Sequence, residues 1–149
     1  MFGRKSGSSA TTATWRAGNE GVPPIDPSRE EPVIRTIAMP ADTNPSGDIF
    51  GGWLMAQMDL AASSVATRRA RGRTATVAVE AMTFLAPVAV GDEVSLYARV
   101  VSTGRTSVRV AVAAFRRHRQ DAEVVKVTEA VITCVAIDSE RRPRSLPAL

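Results

Sequence analysis

A long apolar segment over residues 53–70 constrains the fold more than any other part of the chain. Apolar side chains recur along it at the spacing i, i+4, i+7 and i+11, which makes one continuous helical stripe of Leu54, Met58, Ala61 and Val65. Further apolar residues widen the stripe over much of the circumference, and a helix of that kind is typically buried. Gly72 follows as a candidate C-terminal cap. The sequence therefore predicts one long, buried helix that ends near residue 70.

The segments around this helix have the pattern of β-strands. Apolar and polar residues alternate along several of them, and the short turns between the later ones favour antiparallel hairpins. The predicted strands cover residues 33–39, 74–84, 93–102, 106–117 and 123–138. One buried helix must pack against the sheet that these strands form. The predicted class is therefore α+β, with the sheet curving around the helix.

Composition indicates a single globular domain with extensions at both ends. The chain has 149 residues, of which 44% are hydrophobic, and a chain of this size can form a substantial core. Residues 1–32 are rich in Gly, Ser, Thr, Ala and Pro and lack periodicity, so we expect a flexible arm there. The domain is expected over residues 33–140, followed by a basic tail over residues 141–149.

Cysteine content, hydropathy and charge indicate where the protein is located and what it can bind. Cys134 is the only cysteine, which excludes an intrachain disulfide and favours a reducing, cytoplasmic location. No apolar run approaches the roughly 18 residues that a membrane span needs. The net charge is +4 and nearly all basic residues are arginines, which fits either a codon-usage bias or phosphate recognition. Nucleic-acid binding is not expected, because no aromatic residues for base stacking are interleaved with the basic clusters.

Residues 42–52 lead into the predicted helix and combine turn-forming residues with a carboxylate and two glycines. Asp48 stands just before the helix, and it fits two interpretations equally well. It is either a helix N-cap or a carboxylate that activates a nucleophile beside an anion-stabilising pocket. Gly51 and Gly52 either permit a tight turn or let a carbonyl oxygen approach uncovered backbone N–H groups.

Catalysis by a histidine-activated nucleophile or by a metal finds no support in the sequence. His118 lies in a charged turn and is expected to be solvated, and Cys134 lies in an apolar strand and is expected to pack. A Ser-His-Asp or Cys-His arrangement therefore lacks a suitable histidine. No His/Cys cluster has the spacing of a zinc site.

Two further sets of polar residues have a structural and a functional interpretation. Polar positions on the helix fit an exposed or inter-subunit edge better than an active site, and these are Gln57, Asp59, Ser63 and Ser64. The segment Gly104-Arg105-Thr106-Ser107 fits either a hairpin turn or a contact between an arginine and a diphosphate.

Taken in order, these segments resemble the YciA-type acyl-CoA thioesterases of the hotdog fold. The resemblance covers about residues 33–145, and its most specific segment is Gly47-Asp48-Ile49-Phe50-Gly51-Gly52. Thr83 is a departure, since similar proteins often have Asn there, and the change bears on the shape of the acyl pocket. The other matching segments include Arg35-Thr36-Ile37-Ala38-Met39-Pro40, Met58-Asp59, Thr76-Val77-Ala78-Val79, Val90-Gly91-Asp92 and Val135-Ala136-Ile137-Asp138.

The resemblance implies a hotdog fold, in which a long helix is wrapped by an antiparallel sheet of five or six strands. It implies hydrolysis of acyl-CoA thioesters, with coenzyme A as part of the substrate and with no separate cofactor or metal. It also implies a homodimer with active sites at the subunit interface, assembled further as a trimer of dimers.

The same resemblance implies roles for particular residues. Asp48 would act as general base or nucleophile, and the Gly52 N–H, beside Gly51, would polarise the thioester carbonyl. The segment from Gly104 through Arg105 and Thr106 to Ser107 would meet the coenzyme A diphosphate. Three more residues are expected to contact substrate, namely Asn44, Ser64 and Phe84.

Elementary chemistry agrees with this reaction. A thiolate leaves more readily than an alkoxide or an amine, so a strong general acid is dispensable. One carboxylate and one oxyanion donor therefore suffice without a histidine. A non-catalytic protein that binds or senses acyl-CoA on the same fold is the alternative.

Overall fold

The computed structural model describes residues 21–149, and its regular elements follow the predicted order. The strands are β1 (Ile34–Ile37), β2 (Thr74–Phe84), β3 (Glu93–Thr103), β4 (Ser107–Arg117) and β5 (Val124–Ala136). The helix α1 (Gly51–Ala70) lies between β1 and β2, and a short 3-10 turn covers Pro40–Asp42. The prediction of one helix and five strands is confirmed, with strand ends that differ by up to two residues.

All pairings in the sheet are antiparallel, and the strand order is β1-β3-β4-β5-β2. The later strands form hairpins, as predicted for β3 with β4 and β4 with β5. The prediction of hairpins in succession is wrong for β2 and β3, because β2 pairs with β5 instead. It therefore stands at one edge of the sheet while β1 stands at the other. The register brings Thr74 opposite Ala136 and Phe84 opposite Thr128. β2 begins four residues after α1 ends. Phe84, at the other end of β2, lies near Gly51 at the start of α1.

The core lies between α1 and the inner face of the curved sheet. The helix contributes the side chains that its stripe predicted, with Leu54, Met58 and Ala61 buried and Val65 partly buried against them. The central strand β4 alternates as expected, since Val108 and Val110 face the helix. Burying one such side chain contributes about 1.5–3 kcal/mol. This packing fixes the helix lengthwise across the sheet.

The outer face of the sheet carries a second, smaller apolar cluster. Tyr97 and Phe115 pack edge to face there, with ring centroids 5.5 Å apart, beside two alanines of β4. Ile25 completes the cluster and is only 4% exposed. The sequence predicted a flexible arm over residues 1–32, and for residues 21–32 the structure differs. A branched apolar side chain inserted into this cluster holds that part against the sheet, while residues 1–20 of the predicted arm lie outside the described residues.

The C-terminal residues also pack on the domain. Arg144 donates from Nη2 to the Ala70 carbonyl at 2.8 Å and from Nε to the Ile137 carbonyl at 3.2 Å. Its guanidinium occupies the space that a Cβ on Gly72 would need. Arg71, rather than the expected Gly72, is the C-cap of α1, and it takes up the left-handed conformation with φ 51°. Within residues 21–149, no helix is long and apolar enough to cross a membrane.

Candidate active site

The loop before α1 is held by its own backbone and by Asn44. The side-chain oxygen of Asn44 accepts the N–H groups of Ser46 at 3.0 Å and of Asp48 at 3.1 Å. The Asn44 N–H in turn donates to the Asp48 carbonyl at 2.7 Å. Gly47 closes the loop with φ 86°, which an L side chain rarely adopts. Asn44, expected to contact substrate, therefore also fixes the position of the residue that carries the candidate carboxylate.

Asp48 is exposed at the tip of this loop, three residues before α1 begins. The N-cap of the helix is Phe50, and it has no side-chain cap hydrogen bond. The interpretation of Asp48 as an N-cap is therefore wrong. Among the described residues, no hydrogen bond or ion pair engages its carboxylate. By contrast, Asp42 at the other end of the loop accepts the Met39 N–H at 2.9 Å.

The first turn of α1 leaves donors uncovered. Gly51 and Gly52 are exposed at the first two helical positions, whose N–H groups have no partner within a helix. A Cβ on Gly52 would lie 3.0 Å from the Phe50 ring, and a Cβ on Gly51 would lie 3.2 Å from the Phe84 ring. The positive end of the helix dipole and two unshielded N–H groups therefore face the same opening as these rings.

An apolar cavity of about 480 Å³ opens beside Gly51. Phe50 and Phe84 flank its mouth and are 41% and 50% exposed. Its floor is built from core side chains of the helix and of β5, namely Leu54 and Val127, and its outer wall is residues 85–88. The sequence singled out Phe84 but missed this wall, because a loop of Leu, Ala, Pro and Val has no pattern of its own.

A second, smaller cavity of about 300 Å³ lies on the other side of the helix start, beside Gly52. Met55, Met58 and Val79 make most of it apolar. Asp59 supplies its one carboxylate, and the Thr76 hydroxyl donates to Asp59 Oδ1 at 2.5 Å. The sequence placed Asp59 on a polar helix edge. Only the pairing of β2 with β5 brings Thr76 to this position.

The remaining predicted substrate contacts lie elsewhere in the chain. The turn between β3 and β4 is closed by a hydrogen bond from the Gly104 N–H to the Ser107 carbonyl, at 2.9 Å. Arg105 donates to Ser145 Oγ at 3.2 Å, and the Thr106 carbonyl accepts the Ala136 N–H at 2.8 Å. This turn therefore lies at the far end of α1, whose 20 residues span about 30 Å.

Ser64 is exposed on α1 between these two ends. It lies twelve residues beyond Gly52, which corresponds to about 18 Å along the helix. One chain therefore brings together Asn44, Asp48, both glycines and Phe84, but not Ser64 or the turn that begins at Gly104.

His118 and Cys134 were expected to have no part in the chemistry. Cys134 is buried in the core, as predicted, and burial raises the pKa of its thiol. His118 is exposed just after β4, as predicted, but the sequence did not show that its Nδ1 lies 2.6 Å from Oδ1 of Asp92, a residue only 3% exposed. Within the described residues, no cluster of His, Cys, Asp and Glu could hold a metal ion.

A long helix wrapped by a five-stranded antiparallel sheet, with an open helix start, defines a hotdog fold. A family model described as the thioesterase superfamily matches residues 46–123. The chain is 52% identical over 118 residues to the acyl-CoA thioester hydrolase YciA of Escherichia coli, covering 77% of this chain and 89% of that protein. The chain belongs to the thioesterase superfamily and, within it, to the YciA-type acyl-CoA thioester hydrolases.

Solved structures of thioesterases are also similar to this chain in sequence and in fold. A hexameric thioesterase from Yersinia pestis is 49% identical, with a TM-score of 0.77, and the match covers 81% of this chain and 98% of that one. An acyl-CoA hydrolase from Staphylococcus aureus, solved with butyryl coenzyme A and coenzyme A, is 29% identical with a TM-score of 0.71. That match covers 77% of this chain and 70% of the other.

Proposed function

We propose that the protein hydrolyses acyl-CoA thioesters at the start of α1, with Asp48 as the catalytic carboxylate. One observation carries the proposal. A carboxylate with no partner in the described residues stands three residues before two uncovered N–H groups, and Gly51 lines the larger apolar cavity while Gly52 lines the smaller one. A structural carboxylate would be paired with a donor, as Asp42 is.

The thioester carbonyl is proposed to approach the N–H of Gly52, beside Gly51. An uncovered donor at a helix N-terminus stabilises the charge that develops on that oxygen, and one such donor is typically worth about 10²–10³ in rate. The acyl chain enters the cavity between Phe50 and Phe84, where apolar walls replace water. The thiolate then leaves without needing a protonated side chain.

Asp48 acts in one of two ways in this proposal. As a general base it takes a proton from water, which attacks the carbonyl carbon and expels the thiolate of coenzyme A. As a nucleophile it forms a mixed anhydride, which water then hydrolyses to regenerate the carboxylate. A single turnover in ¹⁸O-labelled water separates them. An unlabelled fatty acid with ¹⁸O in the Asp48 carboxylate indicates attack by Asp48 and hydrolysis at the aspartyl carbonyl. A labelled fatty acid with no acyl-enzyme trapped by hydroxylamine indicates the general base.

The coenzyme A end of the substrate is proposed to meet the segment Gly104–Ser107 of another copy of this chain. Arg105 is exposed there, and a guanidinium fork matches phosphate oxygens. The length of α1 separates this turn from Asp48 within one chain, so the two regions are proposed to meet across a subunit interface.

β2 supports a homodimer. It is an edge strand of 11 residues, and Val77 and Val79 on it are 59% and 45% exposed. A long, exposed, apolar edge strand promotes pairing with another chain. Next to it, Met55 and Leu60 of α1 are also exposed. We propose a dimer through this surface and, following the hexameric relatives, a trimer of dimers.

The test is the release of coenzyme A from a panel of acyl-CoAs by the wild-type protein and by Asp48→Ala. We expect turnover by the wild type and a loss of at least about 10³ in kcat in the variant. Unchanged turnover in Asp48→Ala removes this carboxylate from the mechanism. Saturable binding of acyl-CoA with no turnover by the wild type would instead favour the binding or sensing protein.

A second test asks whether the acyl chain occupies the cavity. Ala86 lines it, whereas Ala89 in the same loop is exposed and does not. Ala86→Phe is expected to shorten the preferred acyl chain, because the ring fills the cavity. Ala89→Phe is expected to leave the preference unchanged. Equal profiles for both variants would place the acyl chain elsewhere.

A further inference from the structure

The outer wall of the cavity belongs to a loop that is anchored at both ends and by Val88 in the core, but is exposed over much of its length. Residues 85–92 connect β2 to β3, and Leu85, Pro87 and Ala89 are exposed. The loop is bonded to β5 where it begins, since the Leu85 N–H donates to the Val127 carbonyl at 2.7 Å. Where it ends, the Gly91 N–H donates to the Ala38 carbonyl at 2.7 Å and the Ala38 N–H donates to the Asp92 carbonyl at 3.0 Å. The length between these backbone bonds depends on side chains for its position.

Two side chains from the end of β4 supply that support. Arg116 donates from Nε to the Pro87 carbonyl at 2.7 Å, which ties down the middle of the wall. His118 pairs through Nδ1 with Oδ1 of Asp92 at 2.6 Å, at the end of the loop. The other oxygen of Asp92 accepts the Ala89 N–H at 2.8 Å. Arg116 near the end of β4 thus supports the wall at Pro87, and His118, the residue just after β4, adds a side-chain contact to the end of the loop at Asp92.

The two supports are also joined to each other. Arg116 Nη1 lies 3.1 Å from His118 Nε2, and a guanidinium is only a donor. In this arrangement Nε2 accepts from Arg116, which leaves Nδ1 to donate to Asp92. In this state one chain of hydrogen bonds runs from the Pro87 carbonyl through Arg116 and His118 to Asp92.

We propose that Arg116 and His118 are positioning residues that fix the 85–92 loop and thereby set which acyl chains the cavity accepts. Neither side chain lines the cavity, so neither touches the substrate. They act through Pro87 and Asp92, by keeping the wall of residues 85–88 against the core. The specificity role rests on the proposed function, whereas the bonding of the loop does not.

The test compares Arg116→Ala and His118→Ala with a matched variant, Arg117→Ala. Arg117 carries the same charge one residue away, but its guanidinium bonds the Asp121 carbonyl and Glu93 rather than the loop. We expect the two loop variants to accept longer acyl chains, with the ratio of kcat/KM between the preferred and the next longer substrates falling about tenfold. Arg117→Ala should keep the wild-type ratio.

His118→Asn provides a rescue. The Asn amide nitrogen takes the place of Nδ1 and can still donate to Asp92, so the ratio should return toward that of the wild type. A ratio unchanged in both loop variants, or shifted as much in Arg117→Ala, would overturn the proposal.

Two measurements do not depend on activity. His118 is the only histidine, so a ¹H–¹⁵N spectrum of the untagged protein reports its proton directly. We expect the neutral form with the proton on Nδ1, and a proton on Nε2 would contradict the chain of hydrogen bonds. Hydrogen exchange in residues 85–92 should quicken about tenfold in Arg116→Ala and stay constant in Arg117→Ala. If the wild type hydrolyses no acyl-CoA while these two results hold, only the proposed function fails.

Discussion

The two ends of α1 differ in whether the rest of the chain satisfies their free backbone hydrogen-bonding groups. At its end, Arg71 and Gly72 both return N–H groups to the Thr67 carbonyl, and Arg144 covers the Ala70 carbonyl. At its start, no side chain caps the first turn, and no acidic residue lies within it. An uncapped helix start costs about 1 kcal/mol relative to a capped one. The chain leaves the start of α1 uncapped, so its free N–H groups stay available to a substrate.

The largest expected effect is a difference in kcat between variants of two carboxylates in the same loop. Asp48→Asn should lower kcat by about 10³ or more, because it removes the negative charge while keeping the shape. Asp42→Asn should change kcat less than about threefold, because the Asp42 carboxylate serves the Met39 N–H. Steady-state kinetics on one acyl-CoA compares them. Similar losses in both variants would mean that the loop, rather than Asp48, is what catalysis needs.

The next effect separates stability from activity at the helix start. Gly52→Ala should change stability by less than about 1 kcal/mol, because the gain in helix propensity is offset by contact with the Phe50 ring. It should lower kcat about 10–10²-fold, because its methyl group crowds the N–H. Gly51→Ala places its methyl near Phe84 and should mainly change the acyl-chain preference. Thermal unfolding and kcat are measured on both variants. A Gly52→Ala protein with full activity would remove the Gly52 N–H from the mechanism.

At the end of α1, the removal of Arg144 is expected to change the stability of the protein and not its activity. Arg144→Ala removes hydrogen bonds to the Ala70 and Ile137 carbonyls and should lower the free energy of unfolding by about 1–2 kcal/mol. Arg142→Ala, which breaks an exposed ion pair with Glu140, should change it by less than about 1 kcal/mol. Denaturant titration gives both values. A fall in kcat in Arg144→Ala at full occupancy would show that this end also takes part in the chemistry.

The smallest expected effect concerns substrate binding at that end. Arg105→Ala should raise KM about fivefold to tenfold with little change in kcat, because one charge-assisted contact to phosphate is lost. The loss should shrink with an acyl thioester that lacks the diphosphate. An equal rise in KM for both substrates would point to a fold defect instead.

Periodicity was sufficient to predict most of the fold. The stripe of α1 and the alternation of β4 are each set by burial on one face, so their pattern is readable without a structure. The pairing of β2 with β5 was not predictable, because hairpin turns indicate only which neighbours in sequence pair. The position of Ile25 was not predictable for a related reason, since it depends on a cluster formed by two distant strands, β3 and β4.

The candidate site likewise combines residues that the sequence could predict with contacts that it could not. Asp48, Gly51 and Gly52 are adjacent in sequence, and a carboxylate before a glycine pair is a visible signal. His118 and Asp92 are 26 residues apart, and Asp59 meets Thr76 only across the helix–sheet packing. No local pattern marks contacts of that kind, so the sequence predicted the exposure of His118 but not its pairing with Asp92.

The central claim is that Asp48 of one subunit works with Arg105 of another, and subunit mixing tests it most directly. Asp48→Asn and Arg105→Glu each disable one region, and the two variants are dissociated, mixed in equal amounts and reassociated. In a two-fold dimer with shared sites, half of the dimers are mixed and one site in each is intact, so kcat/KM should recover to about a quarter of wild type. A mixture no more active than the average of the two variants, with mixed dimers demonstrated by mass spectrometry, would contradict the claim.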